Sequence, residues 1–290
     1  MKSRFCPLFI VAFLMVVWPS PVVVAQQSGR ARSQDEQPSS YTTSEYESSE
    51  QETAEWTLTE RQSVDAYNSL EDGEPGEPWG FELEFDAGWQ TQSGEHDSVP
   101  FVPELELTLG GNDFLRNTQL ILGFPMEFGL GGVDGNADAQ FGWQQRWVQE
   151  EGWVPTLATL AEVRFPSGYQ SSGVDGTLTG IMAKECGPGT IFLNAFIKTA
   201  NGNNVEDLRH FQWGVRAGYK WRLREDLALI TDYVNQVSEE EGHSNLNLLE
   251  VSGEWRMNEQ LTIGPGIVIG LDDNEETPNF GAGVHVTWSF

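Results

Sequence analysis

The chain has 290 residues, and its 44 acidic residues outnumber 16 basic residues to give a formal net charge of −28. This charge excludes nucleic acid as a partner and argues against docking on anionic lipid, since both surfaces attract positive charge. Beyond the first 25 residues, no stretch approaches the roughly 18 uninterrupted apolar residues of a transmembrane helix. Any membrane span must therefore consist of strands.

The first 25 residues have the three parts of a secretory signal peptide. Lys2 and Arg4 are positively charged, the apolar stretch from Phe5 to Trp18 follows, and a small residue stands at Ala25. The apolar stretch is long enough for a signal peptide but short for a bilayer span. We expect export and cleavage after Ala25. The alternative is an uncleaved membrane anchor, but no charged stop-transfer flank follows the apolar stretch closely.

Residues 26–78 are rich in Ser, Glu, Gln and Thr, with only isolated aromatic residues. Such a composition is too polar to bury a hydrophobic core. We therefore predict a disordered acidic tail over 26–78, located in the periplasm, and a single domain over 79–290.

From Trp79 onward, apolar residues recur at every second position, which is the period of a β-strand. In the first block, Phe81 and Phe85 share one face while Glu82 and Glu84 share the other. About twelve such blocks of ten to twelve residues follow one another. They begin near residues 81 and 104 and continue near 118–129, 137–148, 154–165, 174–185, 188–199, 209–221, 225–236, 245–256, 259–270 and 280–290.

The connections between these blocks alternate in length, being long after odd-numbered strands and short after even-numbered ones. A long connection covers residues 200–208, for example, whereas the preceding connection covers only 186–187. Short periplasmic turns, longer external loops and an even strand number are typical of bacterial outer-membrane barrels. The sequence therefore predicts an all-β fold, a transmembrane antiparallel up-and-down barrel of about twelve strands with both termini in the periplasm.

A soluble β-sandwich also alternates, so the decision between the two folds rests on which face is apolar. In lipid, the sheet must close, with apolar side chains outward and polar side chains toward the lumen. The charged face here can supply a selectivity constriction, or its charges can pair and plug a narrow barrel. The candidate lumen-lining residues are Arg146, Arg164, Lys184, Lys198, Arg216, Lys220, Glu82, Glu84, Glu104, Glu106, Glu162, Glu250 and Glu254.

Aromatic residues cluster toward the strand ends, as the aromatic girdles of a membrane barrel require. The last block alternates from Phe280 to the C-terminus and places Trp288 and Phe290 on the apolar face. This ending resembles the terminal strand by which the barrel-assembly machinery recognises outer-membrane proteins. Trp288 and Phe290 are therefore a candidate assembly signal, and the machinery and the outer-membrane lipids are the expected partners.

The segment LAEVRFPSGYQSSGVDGTLTGIMAKECGPGTIFLNAF, residues 160–196, contains a turn at Phe165-Pro166-Ser167-Gly168. Together with LTLGGNDFLRNTQLILGFPMEFG, it resembles the MetA-pathway-of-phenol-degradation family of outer-membrane proteins, in which Thr is common at the position of Ser167. The resemblance covers roughly residues 80–290. It implies a barrel that passes small hydrophobic or aromatic compounds, and it assigns no functional residues.

Catalysis would need one of the histidines His96, His210, His243 and His285. His96 and His243 lie beside acidic residues in predicted loops, which allows a hydrolase at the rim, although such neighbours are expected by chance in so acidic a chain. His285 is expected to face the lumen in a structural role. No spacing resembles a calcium loop, so we predict no metal site. We also predict no cofactor and no enzymatic activity.

The leading hypothesis is an outer-membrane channel or transporter through which small molecules pass passively along a charged lumen. The alternatives are a structural or adhesive barrel that binds partners through its acidic loops or tail, and the rim hydrolase.

Overall fold

A computed structural model describes residues 70–92, 98–129, 135–168, 173–200, 209–238, 241–272 and 278–290. The predicted signal peptide, the tail up to residue 69 and His96 lie outside the described residues. Within them, the chain forms fourteen strand segments and one short helix. The strands are β1 (Phe81–Gln92), β2 (Ser98–Thr108), β3 (Thr118–Gly123), β4 (Met126–Gly129), β5 (Gly135–Asn136), β6 (Ala139–Val148), β7 (Thr156–Phe165), β8 (Asp175–Cys186), β9 (Gly189–Thr199), β10 (Phe211–Arg222), β11 (Leu227–Gln236), β12 (Leu246–Arg256), β13 (Leu261–Gly270) and β14 (Pro278–Ser289).

The segments form a closed antiparallel barrel of twelve strands, which confirms the predicted fold. Each strand pairs with its neighbours in chain order, and β1 pairs with both β2 and β14 to close the barrel. Two of the twelve strands are each made of two segments, β3 with β4 and β5 with β6. The first interruption lies at Phe124 and Pro125, where proline has no N–H for the ladder.

The two ends of the barrel differ. One end, here called the turn end, carries short connections such as residues 187–188 and the last residue of the chain. The other, the loop end, carries longer connections such as residues 200–210. Helix α1 (Asp113–Arg116) lies in a turn-end connection and is capped by Asn112, whose Oδ1 accepts a hydrogen bond from Leu115 N at 3.0 Å. None of the helices in the described ranges is long and apolar enough to cross a bilayer.

The outer face of the barrel is apolar and the inner face polar. On β10, Trp213 points outward and is 45% exposed, whereas its neighbour Gln212 points inward and is 0% exposed. Large exposed aromatic residues form a belt at each end, as in membrane barrels. The turn-end belt contains Phe81, Trp147, Trp221, Trp255, Trp288 and Phe290, and the loop-end belt contains Trp89, Phe128, Phe141, Phe165, Phe211, Trp213 and Phe280.

Residues 70–79 precede β1 and lie inside the barrel. At the turn end, Trp79 N donates to Thr108 O at 3.0 Å, and from there the segment runs up into the lumen, where Leu70 lies beside Gly218. The structure differs here from the predicted disordered tail over 26–78, because residues 70–78 are ordered against the wall. Their charges and backbone groups find partners on strands that only the closed barrel brings within reach.

Candidate functional site in the barrel lumen

One wall of the lumen, formed by β1 and β2, is strongly acidic. Glu82 lies directly opposite Glu106, and Glu84 directly opposite Glu104. Like charges in directly opposed positions repel each other. Neutral donors on the neighbouring strands partly offset this repulsion. Ser289 donates to Glu82, Thr287 to Glu84, Gln140 to Glu104 and Gln119 to Glu106.

Three of these glutamates come close enough together to share a ligand. One carboxylate oxygen from each of Glu82, Glu84 and Glu106 lies within 4.8 Å of the others. Hard cations such as calcium prefer oxygen ligands, and these are the residues of the acidic wall that can hold one. The sequence did not indicate this grouping, because Glu106 meets the β1 glutamates only through strand pairing.

The opposite wall carries basic residues. Lys198 on β9 and Arg216 on β10 line the same cavity as the glutamates, together with Arg164 on β7. Strands β9 and β10 lie half-way around the barrel from β1 and β2. The Arg216 guanidinium also lies 5.4 Å from the ring centroid of Phe196, within the range of a cation–π contact. A solute in the lumen therefore lies between an acidic and a basic wall.

His285 on β14 faces the lumen, as the sequence predicts. Its Nδ1 lies 2.7 Å from Asp86 Oδ1, and its Nε2 lies 2.7 Å from Thr287 Oγ1. An acid, a histidine and a hydroxyl in line is the arrangement that activates a nucleophile. Here, however, Thr287 also donates to Glu84, whose carboxylate lies 3.7 Å from Nε2 and would repel the oxyanion of acyl transfer. The arrangement suits a bridge between carboxylates better than hydrolysis.

The interior segment, residues 70–76, is bound to the wall by polar contacts. The Glu74 carboxylate forms an ion pair with Arg146 on β6 and accepts a hydrogen bond from Thr156 Oγ1 at 2.9 Å. Asn194 Nδ2 on β9 donates to the backbone carbonyl of Glu71 at 3.2 Å. The segment is therefore attached to strands on one side of the barrel.

Gly73 allows the closest approach of the interior segment to the wall. Its φ of +71° lies in the left-handed region, and a Cβ atom there would lie 2.9 Å from Ala158 Cβ and 3.0 Å from Ile181 Cγ2. Real Cβ atoms do not approach so closely, and the left-handed conformation strains other residues. Only glycine fits this position without displacement.

The interior segment separates two cavities. A cavity of about 450 Å³ is lined by the acidic and basic walls and extends from Gln236 at the loop end to Glu82 and Glu106 near the turn end. A second cavity of about 500 Å³ toward the turn end is lined by residues such as Glu185, Lys220 and Arg222. Asp72 and Glu74 line both. The segment thus lies between the two cavities on the side of the barrel to which it is attached.

Glu71 belongs to this segment and has an unusual electrostatic environment. Desolvation inside the barrel raises the pKa of Glu71 from 4.5 to about 8, and the carboxylates of Glu162, Glu84 and Asp72 act in the same direction. The positive charge of Arg216 opposes the increase. At neutral pH, the docked segment therefore carries Glu71 mainly in its protonated form.

We compared the sequence and the structure of this chain with known proteins. The sequence matches no protein-family model and no curated protein. The structure resembles the crystal structure of the COG4313 outer membrane channel from Pseudomonas putida F1, with a TM-score of 0.62 and 12% identity over 76% of this chain and 98% of that chain. It also resembles the NanC porin, with a TM-score of 0.50 and 9% identity over 71% of this chain and 98% of that chain. The fold is that of an outer-membrane β-barrel.

These likenesses confirm the barrel that the family resemblance implies, whereas membership of the MetA-pathway family stays a prediction. They carry no information about cargo, because identities this low show the fold alone. The lumen described above must therefore supply the argument for function.

Most of the candidate lumen residues line the first cavity, the one of about 450 Å³. Those found there are Glu82, Glu84, Glu104, Glu106, Glu162, Arg164, Lys198 and Arg216. Others contact one another or the segment instead. Arg146 binds Glu74, Lys220 lines the turn-end cavity and pairs with Glu254, and Glu250 is buried opposite Asp232.

Lys184 lies outside the lining of both cavities. Its ammonium pairs with Glu150 and donates to the carbonyl of Gly152 at 2.8 Å, in the turn between β6 and β7. Its position on β8 has the parity of the outward-facing residues, and the turn covers it there. His243, the described member of the proposed rim site, is exposed in the connection between β11 and β12.

Sequence reasoning did not predict that the interior segment lines the lumen. Its stretch EDGEPGEPW holds two glycines and two prolines in an otherwise Ser-rich and Gln-rich tail, directly before the first strand. Such residues mark a change of chain direction. The pattern indicates a turn, but it does not indicate that the chain turns inward.

Proposed function

We propose that this protein is an outer-membrane channel through which small molecules pass passively. The proposal rests on the cavity inside the barrel. The outer face of the barrel is apolar, whereas inside it the acidic residues of β1 and β2 face basic residues on β9 and β10. Charged side chains that line a pore set its field and hence its selectivity.

The proposed location is the outer membrane, with the signal peptide cleaved after Ala25 and both termini in the periplasm. The apolar outer face and its two aromatic belts support this location, because such belts lie at the two lipid–water interfaces. The turn end then faces the periplasm. Assembly would depend on the barrel-assembly machinery.

The lumen chemistry narrows the proposed cargo. A hydrophobic compound without charge gains little from walls made of carboxylates, ammonium and guanidinium groups. An aromatic compound that also carries a charged group agrees with the cargo that the family resemblance implies. It also suits the side chains of the lumen, because the Phe196 ring lies beside the Arg216 guanidinium. We therefore propose small polar or charged solutes, charged aromatic compounds among them. Growth on such compounds with and without the protein tests this proposal.

Ion selectivity in a planar bilayer tests the channel function. Because carboxylates outnumber basic groups along the cavity, we expect the reversal potential in a KCl gradient to show a preference for cations. The double variant Glu84→Gln, Glu104→Gln removes two charges from the acidic wall and should lower that preference at least about twofold. The matched control is Glu259→Gln, at an exposed turn position outside the lumen.

Folding is monitored in each variant by the change of gel mobility on heating. Folded protein that shows no conductance at any voltage, in the wild type, in both variants and in a form whose residues 70–76 are replaced by a Gly-Ser sequence, would contradict the proposed function.

A further inference from the structure

We infer that the interior segment, residues 70–76, is the gate of this channel, closing the lumen when it is docked and opening it when it leaves the wall. The inference rests on the proposed channel function and adds its regulation.

The first argument is position. Asp72 and Glu74 line both cavities, so the segment lies between the two and narrows the lumen on the side of the barrel to which it is attached. Removal of the segment from the wall would join the two cavities. No movement of the strands is required, because the segment precedes β1 and belongs to none of the barrel's hydrogen-bonded ladders.

The second argument is the nature of the contacts. The segment is held by the Glu74–Arg146 ion pair, the hydrogen bond from Thr156 and the hydrogen bond from Asn194 to the Glu71 carbonyl. Water can replace each of these polar contacts when the segment leaves. A permanent plug would be expected to bury several large apolar side chains, whereas Leu70 is the only large one in this segment.

The third argument is a balance of charge. Burial and the nearby carboxylates of Glu84 and Glu162 disfavour an ionised Glu71 in the docked segment, and this cost opposes the attraction between Glu74 and Arg146. The opposing contributions reduce the net stabilisation of the docked state. A gate needs such a balance, because a strongly favoured docked state would never open.

The fourth argument is an anchor at the turn end. Trp79 N donates to Thr108 O at 3.0 Å, and Gly80 O accepts from Thr108 N at 3.1 Å. The Trp79 ring lies against Gly110, where any Cβ would lie 2.0 Å from its Nε1. The chain is thus fixed to β2 at Trp79, and residues 70–76 can leave the wall while this anchor stays in place.

A disulfide that locks the segment to the wall tests the inference. In a full-length Cys186→Ser background, the pair Gly73→Cys and Ile181→Cys places two Cβ atoms 3.7 Å apart, within the range of about 3.5–4.5 Å that a disulfide requires. We expect the oxidised protein to show an open probability at least about tenfold below that of the same protein after reduction. The single variant Gly73→Cys controls for strain at this left-handed position.

A second full-length variant replaces residues 70–76 with a Gly-Ser sequence of the same length, which removes every contact of the segment. We expect its open probability to exceed that of the wild type. Equal conductance of the oxidised and reduced forms, with the disulfide verified by mass spectrometry, would overturn the gate and leave the channel function intact. Folded protein that conducts in neither the reduced nor the Gly-Ser form would overturn the channel function itself, and the gate with it.

Discussion

At the scale of single residues, His285 illustrates how the barrel tolerates its acidic wall. The ring contacts Asp86 and Thr287 at 2.7 Å each and lies 3.7 Å from Glu84, and its side chain is only 11% exposed. A buried carboxylate costs free energy unless it is paired or hydrogen-bonded. The histidine supplies a partner to two carboxylates at once.

We predict that His285→Ala destabilises the barrel by about 2 kcal/mol. Two hydrogen bonds are lost, and the histidine no longer offsets the repulsion between the Asp86 and Glu84 carboxylates. Urea unfolding in lipid vesicles measures this change. The control is His243→Ala at an exposed position, for which the change should stay within about 0.5 kcal/mol. Equal unfolding midpoints for the two variants would show that His285 has no such role.

At the scale of elements, β14 closes the barrel against β1. Phe290 N donates to Phe81 O at 3.0 Å, and the two rings stack with centroids 4.9 Å apart. The Trp288 ring stacks on Phe290 from the same strand at 5.5 Å. Phe290 therefore contacts β1 where the barrel closes, and its ring is also part of the exposed turn-end belt.

We predict that Phe290→Ala lowers the amount of folded protein in the outer membrane severalfold, because an assembly signal is lost. The loss of ring stacking alone is worth only about 0.5–1.5 kcal/mol. Cell fractionation and gel mobility before and after heating measure the amount, while refolding in detergent measures stability. The control Trp255→Ala removes a belt residue from β12. If both variants accumulate equally in cells, Phe290 acts only as a belt residue.

At the scale of the whole molecule, proton binding couples the interior segment to the barrel. Docking raises the pKa of Glu71 from 4.5 to about 8, through desolvation and the carboxylates of Glu162 on β7, Glu84 on β1 and Asp72, with Arg216 on β10 opposing. An acid whose pKa is raised on docking binds a proton when it docks. Docking is therefore most favourable below the lower pKa and weakens as pH rises toward the higher one.

We predict that the open probability rises between about pH 5 and pH 8 and changes little above that range, with a slope of at most about tenfold per pH unit for one proton. Single-channel recording over this range provides the measurement. Glu71→Gln keeps the shape of the side chain but cannot ionise, so its open probability should depend less on pH. An unchanged slope in this variant would assign the dependence to another group.

The sequence alone determined the architecture to a large extent. The alternation of apolar and polar residues over 188–199 matches β9 (Gly189–Thr199), and the same pattern located most of the other strands to within a few residues, whereas β2 begins at Ser98, six residues before the predicted start near 104. The pattern works because side chains alternate between lipid and lumen, and that alternation is local. The predicted strand over 118–129 proved to be two segments, since Pro125 lies within it.

What only the tertiary structure decided is which charges meet inside the barrel. Asp86 and His285 are 199 positions apart in sequence, and Glu74 and Arg146 are 72 apart. Closure of the sheet brings the first pair together, and the inward course of residues 70–76 brings the second. Strand periodicity states that a side chain faces the lumen, but it does not state what lies across the lumen, because that depends on strand order and on the size of the closed ring.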